Sequence, residues 1–328
     1  MKSIMQKDLW SITSFLENKN YKFNKENILT QLPEKFIEEA IKAISSWDNY
    51  APTPLVKLNK LNDELKFKNI YYKDEDKRFD LKSFKALGGA FAVYKIASEK
   101  KNITVSTATA GNHGRSVAWG AQRLGLNCKI FISEFVSESR AEAMRNLDAE
   151  VIRVKGNYDN SLKECIEQSN KNNWEIVQDV SWEGYKEVPK LIMAGYTIMV
   201  KEIIDEIDKN SITHVFLQAG VGGMAAAMIA GFAKLSKTIP QFIIVEPENA
   251  DCVFQSIKNN KPTTVDIEKE TVMGGMSCGD VSSIAWEILK NSANYCLTIP
   301  DEAISTAVAL LAEKRLSNEK IIGGECAV

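Results

Sequence analysis

The sequence predicts an α/β protein of two domains, with parallel-rich sheets covered by helices. Three observations carry that expectation. Short runs rich in β-branched and aromatic residues alternate with segments whose apolar residues follow the helical period, the pattern of repeated strand, helix, strand units. Two of the strand-like runs end in glycine-containing turns that open directly into small-residue helices, at AGNHG (110–114) and AGVGG (219–223). No repeat, low-complexity tract or Pro/Ser-rich linker interrupts the 328 residues, so ordinary loops cross the domain boundaries. Strands that alternate with helices pair in parallel, because a parallel connection needs a crossover long enough to hold a helix.

Taken in order, the first fifty residues are polar with helical spacing and are expected to wrap the core. TPLVKLNKL (53–61) leads to a strand at NIYYK (69–73), then a polar turn, then a helix for which Ser83 is available as N-cap. Phe84, Leu87, Phe91 and Tyr94 share one stripe of that helix. Further strands are expected at ITVST (103–107), CKIFIS (128–133), AEVIRV (149–154), EIVQDV (175–180), THVFLQ (213–218) and FIIVE (242–246). The end, IIGGECAV, reads as a strand leading into another element, which predicts a chain cut short. A large domain from residues 1–94 and 191–328 and a smaller inserted one from 95–190 complete the expectation, with a ligand cleft between them.

Composition narrows the function. With 41 basic against 43 acidic residues and no dense basic tract, the net charge of -2 predicts no nucleic-acid and no membrane-surface partner. Six cysteines without CxxC spacing and two histidines predict neither a metal site nor a disulfide framework, hence a reduced, cytoplasmic protein. The N-terminal MKSIMQKDLWSITSFL carries a charge inside its apolar run and no cleavage site, and no segment approaches spanning length.

Three stretches could carry chemistry. In RFDLKSFKALGG (78–89), Lys85 sits between Phe84 and the pair Gly88 and Gly89 in a first helical turn. Alone it reads as a solvated lysine on an amphipathic helix; a lysine that forms a Schiff base needs such a partly desolvated seat. In STATAGNHGRSVAWGAQRLG (106–125), amides at a strand-to-helix junction favour an anionic or π-rich ligand, and Asn112 offers a donor and an acceptor; a plain turn is the alternative. In THVFLQAGVGGMAAAM (213–228), Gly220, Val221, Gly222, Gly223 and Met224 open an alanine-rich helix, whose positive end suits a phosphate. The stretch lacks the Lys-Ser/Thr of a nucleotide loop and the third glycine of the dinucleotide fingerprint, so a small monophosphate cofactor fits better, close helix packing being the alternative.

These stretches and their order resemble the fold-type II pyridoxal-phosphate enzymes, the tryptophan synthase β and threonine dehydratase group. Within it, RFDLKSFKALGG, TATAGNHGRSVAWGAQRLG, VQDVSWEGYKEVPKLIMAGY (177–196), LQAGVGGMAA, VEPENADC (245–252), MGGMSCGD (273–280) and the terminal GGE are similar to the diaminopropionate ammonia-lyase family. The resemblance implies pyridoxal 5'-phosphate as cofactor, Lys85 as its Schiff-base lysine, Asn112 beside the ring, Gly220 to Met224 on the phosphate, an amino acid as substrate and a homodimer. Asp179, just before WEGY, is the expected acid near the reacting carbons, with a turn aspartate as the plain alternative. Met273 to Met276 and Cys278 read as a loop near the cofactor or a packing turn; His113 as a phosphate contact or helix cap; Glu246 and Glu325 as possible borders of the ring.

Two departures stand out. The family reads TATDGNHG, whereas this chain has Ala110, which cannot take a proton. The L-isomer, served by Lys85, is therefore the expected substrate. The family also runs on past GGE. Serine/threonine dehydration, β-replacement, and a truncated inactive homologue are the competing readings.

Overall fold

A computed structural model describes residues 12–109, 111–208 and 211–327. The described chain falls into two compact units. One comprises the chain up to Pro33, Pro52–Asp76 and Met199 onward; the other comprises Glu34–Ala51 and Lys77–Ile198.

In chain order the strands are β1 (Ser14–Glu17), β2 (Leu55–Lys57), β3 (Tyr71–Lys73), β4 (Thr104–Ala108), β5 (Asn127–Ser133), β6 (Glu150–Val154), β7 (Glu175–Ile176), β8 (His214–Gln218), β9 (Gln241–Pro247) and β10 (Tyr295–Ile299). The first unit holds a sheet ordered β1-β10-β9-β8, parallel except for β1, and the antiparallel pair β2-β3. The second unit holds β6-β5-β4-β7, parallel throughout. The strands at the middle of these sheets read as near-continuous apolar runs, IFIS and FIIV, because both faces are covered. Phe242 of β9, for example, packs against Phe232 of the Gly223–Leu235 helix, with ring centroids 5.8 Å apart.

Several expectations change in detail. Within the first fifty residues, SFLE forms β1, an edge strand with register Ser14 to Thr298 and Glu17 to Tyr295, beside the expected helices Lys25–Gln31 and Glu34–Ser45. β2 and β10 were not expected from the sequence. Of EIVQDV only Glu175 and Ile176 form strand, for a reason that Gln178 supplies below. Ile321 and Ile322 lie in no strand; Ile321 is buried with Val56, Leu58 and Leu311 as part of a loop. The unit borders fall at 76/77 and 198/199 and bring 34–51 into the second unit. The sequence boundaries at 94/95 and 190/191 fall inside the helices Lys85–Glu99 and Glu187–Tyr196, where a continuous amphipathic pattern offers no change of composition.

Those two helices pack closely against each other just after Lys85. A Cβ on Gly88 would lie 2.5 Å from Tyr196 Cε1 and 2.7 Å from the Ile192 carbonyl oxygen, and one on Gly195 would lie 2.5 Å from the Leu87 oxygen. Glycine at both positions lets the backbones approach.

Candidate active site

Lys85 is the first residue of its helix, and Ser83 Oγ accepts its backbone N–H at 3.2 Å. The approach is strained: Phe79, Asp80 and Lys82 have φ of 49°, 59° and 55°, each costing about 1–2 kcal/mol for a residue with a Cβ. Packing holds them there. The Phe79 ring lies 4.6 Å from Trp119 and 5.8 Å from Trp47, and Arg78 is buried beneath. This fixes the start of the helix and thus the lysine.

Lys85 Nζ donates to Asp179 Oδ2 at 2.5 Å, with both side chains largely buried. The segment that presents Asp179 is braced from two sides. The Gln178 amide accepts from Ala108 N–H (3.1 Å) and Thr107 Oγ1 (2.8 Å) and donates to Ala108 O (3.0 Å) and Tyr158 Oη (2.6 Å), so a side chain replaces the next rung of the ladder and β7 ends early. Tyr185 Oη donates to Ile176 O (2.9 Å) and accepts from Gln178 N–H (2.8 Å), and its ring stacks on Trp182 at 4.1 Å. The WEGY turn is thus a clasp on the backbone that carries Asp179.

His113 lies in the first turn of the Asn112–Arg123 helix, whose entry Thr109 Oγ1 caps by accepting from Gly111 and Gly114 N–H at 3.0 and 3.3 Å. Its ring nitrogens face the segment after β7: Nε2 is 2.8 Å from Val177 O, and Nδ1 is 3.7 Å from Asp179 Oδ2. Burial pushes its imidazole below the ordinary value, against the pull of Asp179, so it is neutral at neutral pH. Burial pushes the Asp179 carboxyl up, but His113 in its charged form, the Lys85 charge and the Lys85 hydrogen bond act the other way and hold it below the usual carboxylate range. With His113 neutral, Lys85 is the charge that keeps Asp179 ionised. Phe84 is half-buried, edge-on to Tyr196 at 5.1 Å. The Tyr196 hydroxyl is buried without a hydrogen-bond partner, and burial, joined by Asp179 and opposed by Lys85, raises its pKa well above the ordinary value. Asn112 is exposed at the helix start, and Ala110 lies outside the described residues.

In the first unit, Gly222 caps the Gly223–Leu235 helix at φ 86°, a conformation that favours glycine, and no acidic residue occupies the first turn. A Cβ on Gly220 would meet Cys278 Sγ at 3.1 Å and the Gly275 oxygen at 3.2 Å, whereas one on Gly223 would meet nothing within 4 Å. Val221 O accepts from Ser282 N–H at 2.9 Å, which pins the turn. Ser277 Oγ, on the loop beside Gly220, is buried without a hydrogen-bond partner. Amides at an uncrowded helix start fit a phosphate group, and the partly buried Lys85 amine fits an aldehyde. Glu246 is fully buried and accepts from Val253 and Phe254 N–H at 2.9 and 2.7 Å, while Glu325 is exposed. Among the described residues no group of three or more His, Cys, Asp or Glu could hold a metal, and no helix is long and apolar enough to cross a membrane.

Sequence reading brought out Lys85, Phe84, Asn112, Asp179 and Gly220 to Met224. It missed the roles of Gln178, Tyr185 and Tyr196. WEGY marked the place of Tyr185, but partners that only the fold brings together have no local signature, and nothing in the sequence signals the orphaned Tyr196 hydroxyl.

The profile of the family described as pyridoxal-phosphate dependent enzyme matches residues 47–325. The diaminopropionate ammonia-lyase of Escherichia coli (strain K12) is 36% identical over 297 residues, covering 84% of this chain and 75% of that protein. The Salmonella typhimurium diaminopropionate ammonia-lyase is 35% identical over 79% of this chain and 72% of its own. The crystal structure of the Escherichia coli enzyme with an aminoacrylate-PLP azomethine reaction intermediate superposes with a TM-score of 0.88 at 33% identity, over 97% of this chain and 85% of that one. The chain belongs to the pyridoxal-phosphate dependent enzymes, of fold type II, and within them to the diaminopropionate ammonia-lyase family.

Proposed function

We propose that the protein is a carbon–nitrogen lyase that eliminates ammonia from 2,3-diaminopropionate, favouring the L-isomer, and yields pyruvate and ammonia. The observation that carries this reading is the buried contact of 2.5 Å between Lys85 and Asp179. When bound, pyridoxal phosphate supplies an electron sink for the pair left at Cα. Gly220, Val221, Gly222, Gly223 and Met224 would hold its phosphate, Asn112 and Phe84 its ring, and Lys85 its aldehyde. The freed Lys85 amine takes the Cα proton, a role that a partly desolvated amine suits. Asp179, ionised at rest, must gain a proton before it can act as an acid, and the short hydrogen bond from Lys85 is its source. Protonated, it can deliver that proton to the β-nitrogen, which then leaves as neutral ammonia. The reading extends to a cytoplasmic homodimer, on the family resemblance and on six cysteines without CxxC spacing.

Serine/threonine dehydration is the second reading, favoured by Ala110 where the lyase family has aspartate. Pyruvate release by the cofactor-loaded protein, with L-diaminopropionate, D-diaminopropionate and L-serine in parallel, separates them. Turnover of the L-diamine alone is the expected outcome, and Lys85→Ala should lose at least about 100-fold. Turnover of L-serine alone would give the dehydratase reading, and turnover of both diamines equally would end the argument from Ala110.

A further inference from the structure

We propose that His113 holds the proton of Asp179 during turnover: it passes from Asp179 Oδ2 to His113 Nδ1 and returns before the nitrogen leaves. This rests on the lyase reading above. The argument starts from the Val177 carbonyl. It lies 2.8 Å from His113 Nε2, so Nε2 carries the hydrogen and donates it. In the neutral ring Nδ1 is then a bare lone pair. That lone pair is buried, in a ring 4% exposed, has no hydrogen-bond partner, and points at Asp179 Oδ2 from 3.7 Å. Two acceptors facing each other in a buried site are a costly arrangement, since neither lone pair is satisfied by the other. The cost disappears as soon as one proton lies between them.

Turnover supplies that proton. Asp179 Oδ2 is also the oxygen that accepts from Lys85 Nζ at 2.5 Å, so one carboxylate oxygen touches both the source of the proton and the lone pair. The transfer balances: the O–H bond breaks, an N–H bond forms at Nδ1, carboxylic acid plus imidazole becomes carboxylate plus imidazolium, and the net charge is unchanged. The imidazolium then has two acceptors, Val177 O and Asp179, and a closure of under about 1 Å brings Nδ1 to hydrogen-bond range. The charged groups acting on His113 are Asp179, on the segment after β7, and Lys85, at the start of its helix; both also act on Tyr196, from the Glu187–Tyr196 helix. Burial keeps the imidazole below its ordinary value and therefore ready to accept. His113 acts through Asp179 and is a positioning residue for the proton.

The chain has only two histidines, and the second, His214, is exposed on β8 and bonded to Thr213 Oγ1 at 2.9 Å. In a His214→Gln background, imidazole-15N NMR of the cofactor-loaded protein therefore reads His113 alone. The resting protein at pH 7.5, about one unit above the ordinary histidine value, should show Nε2 protonated and Nδ1 bare. Nδ1 should then take up its proton over the same acidic pH range in which kcat falls, since a ring already protonated cannot accept another. His113→Gln, which keeps a donor for Val177 O, should leave KM within about threefold, lower kcat about 10- to 100-fold and move the acid limb down toward the carboxylate range. A resting proton on Nδ1, or an Nδ1 titration more than about one pH unit away from the acid limb, would overturn the proposal, as would unchanged kcat and pH profile in His113→Gln. If the wild type releases no pyruvate, the lyase reading fails, while the resting tautomer still decides whether the Nδ1 lone pair exists.

Discussion

Glu246 has no exposed surface, yet two backbone amides, Val253 and Phe254, donate to it at the start of the Cys252–Asn259 helix. Burial raises its pKa from 4.5 to about 8, more than the two amides lower it. The folded chain therefore holds a proton there that the unfolded chain has lost over most of that interval. The sign follows: stability from this group is full below pH 4.5 and is lost as pH rises through about 8. Glu246→Gln, neutral at every pH, should flatten the fall of Tm between pH 5 and pH 8.5, the two pH values bracketing most of that shift. Parallel slopes in the variant and the wild type would refute a titrating Glu246. At this scale the sequence marks chemistry well and role poorly. Lys85 and Asp179, each singled out from its own motif, lie 2.5 Å apart, but Glu246 and His113 are assigned by partners 7 and 64 residues away, which local pattern does not register.

Elements were legible wherever one period dominated. IFIS, FIIV and the Phe84, Leu87, Phe91 stripe became strands and helix as read, with Tyr94 left half-exposed against Trp47. β1 escaped because its residues are mostly exposed and its pairing is with β10, far along the chain. β7 was overcalled because Gln178 makes its sheet bonds through a side chain. Helix packing has its own signal in Gly88 and Gly195, and it yields a prediction. Gly88→Ala places a methyl 2.5 Å from Tyr196 Cε1 and 2.7 Å from the Ile192 backbone oxygen, and backbone cannot step aside as a flexible side chain can. A loss of about 3 kcal/mol in unfolding free energy is expected by denaturant titration. A loss near zero would mean that the two helices are not held this closely.

For the whole molecule the question is whether cofactor binding and folding are one equilibrium. A ligand that binds only the folded chain adds RT ln(1 + [L]/Kd), about 2.7 kcal/mol at a hundredfold excess over Kd. Pyridoxal phosphate at that level should raise Tm by about 5 °C in a chain of this size. Gly223→Asp tests whether the phosphate accounts for it. A Cβ at Gly223 meets nothing within 4 Å, so the backbone there accepts a residue with a side chain. An aspartate in the first turn of the Gly223–Leu235 helix favours the helix dipole, so without cofactor the variant should melt within about 1 °C of the wild type. The same negative charge stands where the phosphate would sit, and its repulsion should abolish the rise on adding cofactor. A full rise in the variant would move the phosphate away from Gly220 to Met224. A variant that melts early without cofactor would instead show that the turn, not the ligand, needs glycine there.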